Sequence, residues 1–260
     1  MKNTECGHDR NIALLDELLE RVIGFGPSYN PGNNDLKVAG LQTMKTTLHT
    51  AALNVDNTRA LMTDAVNDRQ FIYEEIRKRA TRIVGEAIAC GADEKMKGDL
   101  RSILHKLRGA RIKKIEETPV TPTDENTSET TKAPESDPAP KVRRSVSQQS
   151  YDLQVEHLRR LKALIEQIAG YVPNEIDLTI AAIGTLCTNA ENATKVAHQT
   201  RSNYDNARFM RDKLLYRKVT GALYIAERVR NYVKAVYGGS SPQYVSVMRL
   251  HFRKFKYTGM

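Results

Sequence analysis

Tyr171-Val172-Pro173-Asn174-Glu175-Ile176-Asp177-Leu178 decides the reading of this chain, because it recurs in blurred form as Tyr29-Asn30-Pro31-Gly32-Asn33-Asn34-Asp35-Leu36. In both copies Tyr and Pro stand two apart, and an Asp-Leu pair four residues past the Pro opens a long run of helical periodicity. The recurrence predicts a tandem duplication, with a first helical repeat over residues 11–114, a linker over 115–147 and a second repeat over 148–257.

Each repeat opens alike. Ile12, Leu15, Leu18, Leu19 and Val22 fall at helical spacing ahead of Gly24 and Gly26-Pro27, and Leu158, Leu161, Leu164, Ile165 and Ile168 do the same ahead of Gly170. The Tyr-x-Pro turn follows, where Asn174 is the expected N-cap in the second copy and Gly32 stands in its place in the first. Tyr29 and Tyr171 are expected to pack over their turns. Behind each turn comes a run of about 40 residues that keeps helical spacing, a length of about 60 Å if unbroken. A third helix is expected near 76–90 and 222–237, and a fourth near 96–112 and 242–254, the last signalled by Ser241-Pro242. The halves drift out of register, which places an extra turn and a break near Thr220-Gly221 in the second half only. No stretch alternates with a period of two. The fold class is therefore all-α: two homologous helical-bundle repeats, each with one long helix and about three shorter ones.

The linker carries Pro119, Pro122, Pro134, Pro138 and Pro140 among Thr, Ser and Glu, with little apolar surface to bury, and reads as disordered. The net charge is +9, and most of the excess lies in the second half. No apolar run follows Lys2, and none elsewhere reaches the roughly 20 residues of a membrane span. Cys6, Cys90 and Cys187 are odd in number and far apart, which suits reduced thiols. These features predict a soluble, cytoplasmic chain with no membrane partner.

The second half carries a further set of landmarks: Tyr171-x-Pro173-Asn174-Glu175-x-x-Leu178, Ala207-Arg208-x-x-Arg211-Asp212-x-x-Leu215-Tyr216, Thr220-Gly221, Tyr232-Val233-Lys234, Tyr237-Gly238, Ser241 and Tyr244. In these it resembles an uncharacterised family of duplicated, all-helical bacterial proteins. The resemblance covers nearly all of both halves and is crisp in the second. It implies the fold class and the duplication and brings no activity.

Patterns that carry chemistry are scarce. The chain has no phosphate-binding Gly-x-x-x-x-Gly-Lys-Ser/Thr loop, no His-Glu-x-x-His and no Cys-x-x-Cys. Only Glu5-Cys6-Gly7-His8 has the Glu-x-x-His spacing of a di-iron bundle, and it falls in a stretch expected to fray. Cys90 and Cys187 sit among apolar positions and read as small buried hydrophobes. No catalytic residue, metal or cofactor is assigned.

Arg208, Arg211, Asp212 and Tyr216 share one helix flank, where two Arg can grip a carboxylate or phosphate, or a partner, with Asp212 holding one of them. The plainer alternative is an Arg208–Asp212 helix pair with Tyr216 packed beside it. Basic runs supply candidate nucleic-acid contacts: Arg108, Arg111, Lys113 and Lys114 after the first repeat, and Arg249, Arg253, Lys254 and Lys256 at the end of the second, the last run interleaved with aromatics. Basic residues also suit helix C-termini without any ligand. The functional expectation is a non-enzymatic interaction or scaffolding protein with two tethered bundles, a protein partner and homo-oligomerisation left open. The alternative is a sequence-tolerant nucleic-acid binder, and the third an enzyme with an anion site on the Arg208 flank.

Overall fold

The two Tyr-x-Pro turns set the long helices on their course through the same bond. Tyr29 is buried and donates its O–H to the Leu36 carbonyl at 2.7 Å, and Tyr171, also buried, donates to the Leu178 carbonyl at 2.8 Å. Burial pushes the Tyr171 hydroxyl up to about 12, so it stays a donor at any physiological pH. The turn residues that follow form one 3-10 turn in each copy, Asn34–Leu36 and Ile176–Leu178.

The computed structural model describes residues 5–109 and 150–255. The linker 115–147 lies outside them. The described residues form seven α-helices and no strand: α1 (Glu5–Gly24), α2 (Val38–Ala89), α3 (Glu94–Arg108), α4 (Tyr151–Ile165), α5 (Ile180–Tyr216), α6 (Ala222–Tyr237) and α7 (Pro242–Met248). Among them no helix is long and apolar enough to cross a membrane.

Several elements depart from expectation, each for a visible reason. Asn174 does not cap: the residue before the second 3-10 turn is Glu175, without a side-chain bond, and Thr179 accepts from the Ala182 amide at the start of α5. In the first copy Asn33, not Gly32, caps its turn by accepting from the Asp35 amide. No separate third helix forms near 76–90, because α2 runs through that stretch as one helix of 52 residues, about 78 Å. Its interior holds no Pro, and Gly85 meets no neighbour that would favour a break. The second half breaks where the register drift placed it. There α5 stops at Tyr216, Val219 takes a positive φ of 74°, and a Cβ at Gly221 would lie 2.5 Å from the Arg217 carbonyl oxygen. The first half therefore has one long and two shorter helices, and the second one long and three shorter.

The helices gather into two compact units, Met1–Asp68 with Lys195–Met260, and Arg69–Thr194. These do not follow the sequence halves, since each takes helices from both. In the first unit Leu15, Leu18, Leu19 and Val22 of α1 and Leu41 and Leu48 of α2 share a core with Leu215 of α5, Ile225, Val229 and Val233 of α6 and Val247 of α7. In the second, Tyr73, Ile76 and Ile83 of α2 and Leu100 and Leu107 of α3 share a core with Leu158, Leu161 and Ile165 of α4 and Ile183 and Leu186 of α5.

Similar contacts are found in the two units. Asp35 faces Arg228 at 4.0 Å, and Asp177 is paired with Arg82, whose Nη2 is 3.2 Å from Oδ1. The Arg82 hydrogen bond holds the Asp177 carboxyl below its usual range. Asp93 caps α3 by accepting from the Met96 amide, and Ser241 caps α7 by accepting from the Tyr244 amide. Gly91 and Gly238, just past the preceding helices, both take positive φ.

Two glycines of α2 separate close approach from mere permissiveness. A Cβ at Gly40 would sit 2.3 Å from the Asn34 carbonyl oxygen, so Gly40→Ala is expected to cost about 1–3 kcal/mol as the turn is pushed off the helix. At exposed Gly85 there is open space, and Gly85→Ala is expected to add about 0.5–1 kcal/mol. Urea titration of both variants checks the opposite signs.

Candidate functional site

Buried residues on α5 recur at Ala197, Tyr204 and Arg211, so Arg211 occupies the next place on an otherwise apolar seam and is only 1% exposed. A buried guanidinium must be paired. Arg211 donates through Nε and Nη2 to Asp212 Oδ1 at 3.1 and 2.9 Å. One turn on, the Tyr216 hydroxyl lies 2.7 Å from His8 Nδ1 and accepts from Asn11 Nδ2 at 3.1 Å. His8 Nδ1 is also 3.7 Å from Asp212 Oδ1.

The N-terminal stretch is thus no frayed end from Glu5 onward. His8 and Asn11 stand one turn apart on α1 and are both buried. Asn11 uses both ends of its amide on the chain terminus: Nδ2 donates to the Arg253 carbonyl at 2.8 Å and Oδ1 accepts from the Arg253 amide at 2.9 Å. Phe255 closes the group, its ring 4.8 Å from His8 and 5.5 Å from Tyr216. A Cβ at Gly7 would meet that ring at 2.5 Å, so the absence of a side chain there lets Phe255 approach. This pairing explains why helix stops at Met248 instead of running to residue 254: the backbone of the last segment bonds to Asn11 rather than to itself.

Of the flank singled out in sequence, Arg211, Asp212 and Tyr216 join this network, while Arg208 lies over the Tyr204 ring at 5.5 Å. The contributions of Asn11, Phe255 and the Arg253 backbone were not singled out; the polar Asn11 beside Ile12 and four residues before Leu15 was the available signal. Of the candidate nucleic-acid contacts, Arg249, Arg253 and Lys254 are exposed, and Arg108 is exposed with its guanidinium donating to Thr81 Oγ1 at 2.8 Å. Arg111, Lys113, Lys114 and Lys256 lie outside the described residues. Of the interleaved aromatics, Phe252 lies under the Arg230 guanidinium at 5.3 Å, and Arg230 donates to the Leu250 carbonyl, while Phe255 packs on His8 and Tyr216; Tyr257 lies outside the described residues.

The second unit has a polar group of its own. The Arg69 guanidinium sits 3.9 Å over the Tyr151 ring, and Tyr73, buried beside it, donates to the Tyr151 carbonyl at 3.0 Å and lies 2.9 Å from Thr194 Oγ1. His157 on α4 is 4% exposed, and neither ring nitrogen has a hydrogen-bond partner among the described residues. His49, by contrast, meets a carboxylate the sequence did not show, with Nε2 2.8 Å from Asp16 Oδ2. Among the described residues no group of three or more His, Cys, Asp and Glu side chains could hold a metal ion. The side chain of Cys6 is outside the described residues. Burial, then the adjacent Glu86 carboxylate, push the Cys90 thiol up, and burial does the same to Cys187, the opposite of what a reactive thiol requires.

A cleft of about 540 Å³ opens in the first unit beside the Tyr29 turn, lined by Asn34, Asp35, Lys37, Thr43, Met44 and Leu214. Comparison of the chain with protein-family models, with curated proteins and with solved structures returns no match.

Two predictions follow from these polar groups. Asn11→Ala removes three hydrogen bonds in a buried setting and is expected to cost about 2–4 kcal/mol in urea unfolding. The same variant should release the terminal segment, seen as faster tryptic cleavage after Arg249, Arg253 and Lys254. The second concerns pH. Burial, then the positive charges of Lys106 and Arg160, lower the His157 pKa, with Glu156 acting in the opposite sense. The unfolded state therefore binds the proton more readily below about pH 6.5, and stability falls with acidification through that window. The urea midpoint is expected to drop between pH 7.5 and pH 5, and to drop less in His157→Leu.

Proposed function

We propose that the protein is a non-enzymatic helical interaction or scaffolding module, built by duplication of one helical repeat. The observation that carries the interaction reading is on the first unit. Around the place where α2 and α5 meet through Val55, Met62, Tyr204 and Ala207, Leu53 (63%) and Leu61 (60%) of α2 and Met210 (51%) of α5 are exposed. Several large apolar side chains exposed to water near one helix contact favour a docking surface. The duplication is supported by the matching Tyr-to-carbonyl bonds, the matching Asp–Arg pairs and the matching caps of α3 and α7. The likeness to duplicated bacterial helical proteins rests on the sequence motifs.

A second reading is sequence-tolerant nucleic-acid binding through Arg249, Arg253 and Lys254, whose exposure favours it. With Phe252 packed under Arg230 and Phe255 on His8, such binding would draw mainly on phosphate charge. The third reading, an anion-binding enzyme on the Arg208 flank, is weakened by the bonds that Arg211 makes to Asp212.

The test joins two measurements. Leu53→Asp with Leu61→Asp is expected to leave the unfolding midpoint nearly unchanged, within about 0.5 kcal/mol per site, while removing the proteins crosslinked to the chain in its native cells. An unchanged crosslinked set contradicts the docking role. Fluorescence anisotropy with generic duplex DNA at low salt is expected to show no binding; micromolar binding that falls steeply with salt and is lost in the Arg249, Arg253 and Lys254 variant decides for the second reading.

A further inference from the structure

Each core is filled from both sides of the 110–149 segment. In the first unit, residues of α1 and the start of α2 lie against α6 and α7, and in the second, the end of α2 and α3 lie against α4 and the start of α5. The polar contacts cross in the same way. Tyr29 meets Tyr232 edge-on at 5.2 Å, Tyr73 donates to the Tyr151 carbonyl, Asn11 holds the Arg253 backbone, and the Asp–Arg pairs run from Asp35 to Arg228 and from Asp177 to Arg82.

These last two pairs carry the argument further. In one, the first half supplies the turn Asp and the second half the Arg; in the other the roles are reversed. Each half thus offers the other both members of the same interaction. Within each unit, then, the side chain of one half is met by the opposite charge of the other. We propose that the two halves of the chain are each other's binding partner, that their mutual contacts and not the covalent link hold the protein together, and that a second copy of the chain can supply either half. The proposal stands on the cores and does not draw on the exposed residues of α2 and α5, so it can fail or hold independently of the docking role.

The full chain with a protease site inserted in the 115–147 stretch tests it. After complete cutting, size exclusion with light scattering is expected to give one species of the full mass, with helicity unchanged by circular dichroism. When isotopically heavy and light cut chains are unfolded together and refolded, native mass spectrometry is expected to find hybrid assemblies of one heavy and one light half. Cut Arg82→Ala with Asp35→Ala should dissociate at several-fold higher protein concentration than cut wild type. Two folded species of half the mass would overturn the proposal. Loss of helicity on cutting would overturn it too, because the link would then be what holds the fold. Refolding without hybrids would overturn the part played by a second copy.

Discussion

The apolar seam of each long helix is covered by helices drawn from both halves of the chain, and the rest of the structure depends on that shared burial. A helix of 52 residues is far beyond what local propensity stabilises in water, so α2 exists because Leu41 and Leu48 are buried in one core and Tyr73, Ile76 and Ile83 in another. The turns serve this burial. Tyr29 and Tyr171 lock the chain to the carbonyls of Leu36 and Leu178, which fixes the direction in which α2 and α5 leave and therefore the face that each presents.

Burial on these seams also explains the polar groups. Arg211 falls on a seam position, and a guanidinium there is tolerable only with its charge matched and its donors used. Asp212 supplies the charge and lies 3.7 Å from His8, and His8, Tyr216 and Asn11 form a bonded group that reaches the Arg253 backbone. The arrangement joins the start of α1, the end of α5 and the terminal segment. It accounts for side chains that as a sequence pattern look like an anion site.

Periodicity made the all-helical class legible in the sequence, and comparison of the two stretches did the same for the Tyr-Pro turns and the break near Gly221, while of the flank Arg208, Arg211, Asp212 and Tyr216 only the shared stretch of helix was visible. Each of these is set by residues close together in the chain. What periodicity cannot say is against what an apolar face is buried, and so the sharing of each core between halves was not visible. The same limit hid Asn11, whose partners Tyr216 and Arg253 stand more than two hundred positions away, and the packing of Phe255 on His8. The merging of the expected third helix into α2 was missed for a different reason: a helix ends only where a breaker or a bond to something else ends it, and the stretch before Gly91 has neither.

The most direct test of the shared cores is a pair of ring-to-ring nuclear Overhauser contacts in the full chain with labelled tyrosines. Tyr29 and Tyr232 stand 5.2 Å apart in one unit, and Tyr73 and Tyr151 stand 4.7 Å apart in the other, each pair joining residues of different halves. Cross-peaks for both pairs at dilute concentration are the predicted result. Their absence, in a chain that retains its helicity, would contradict the account.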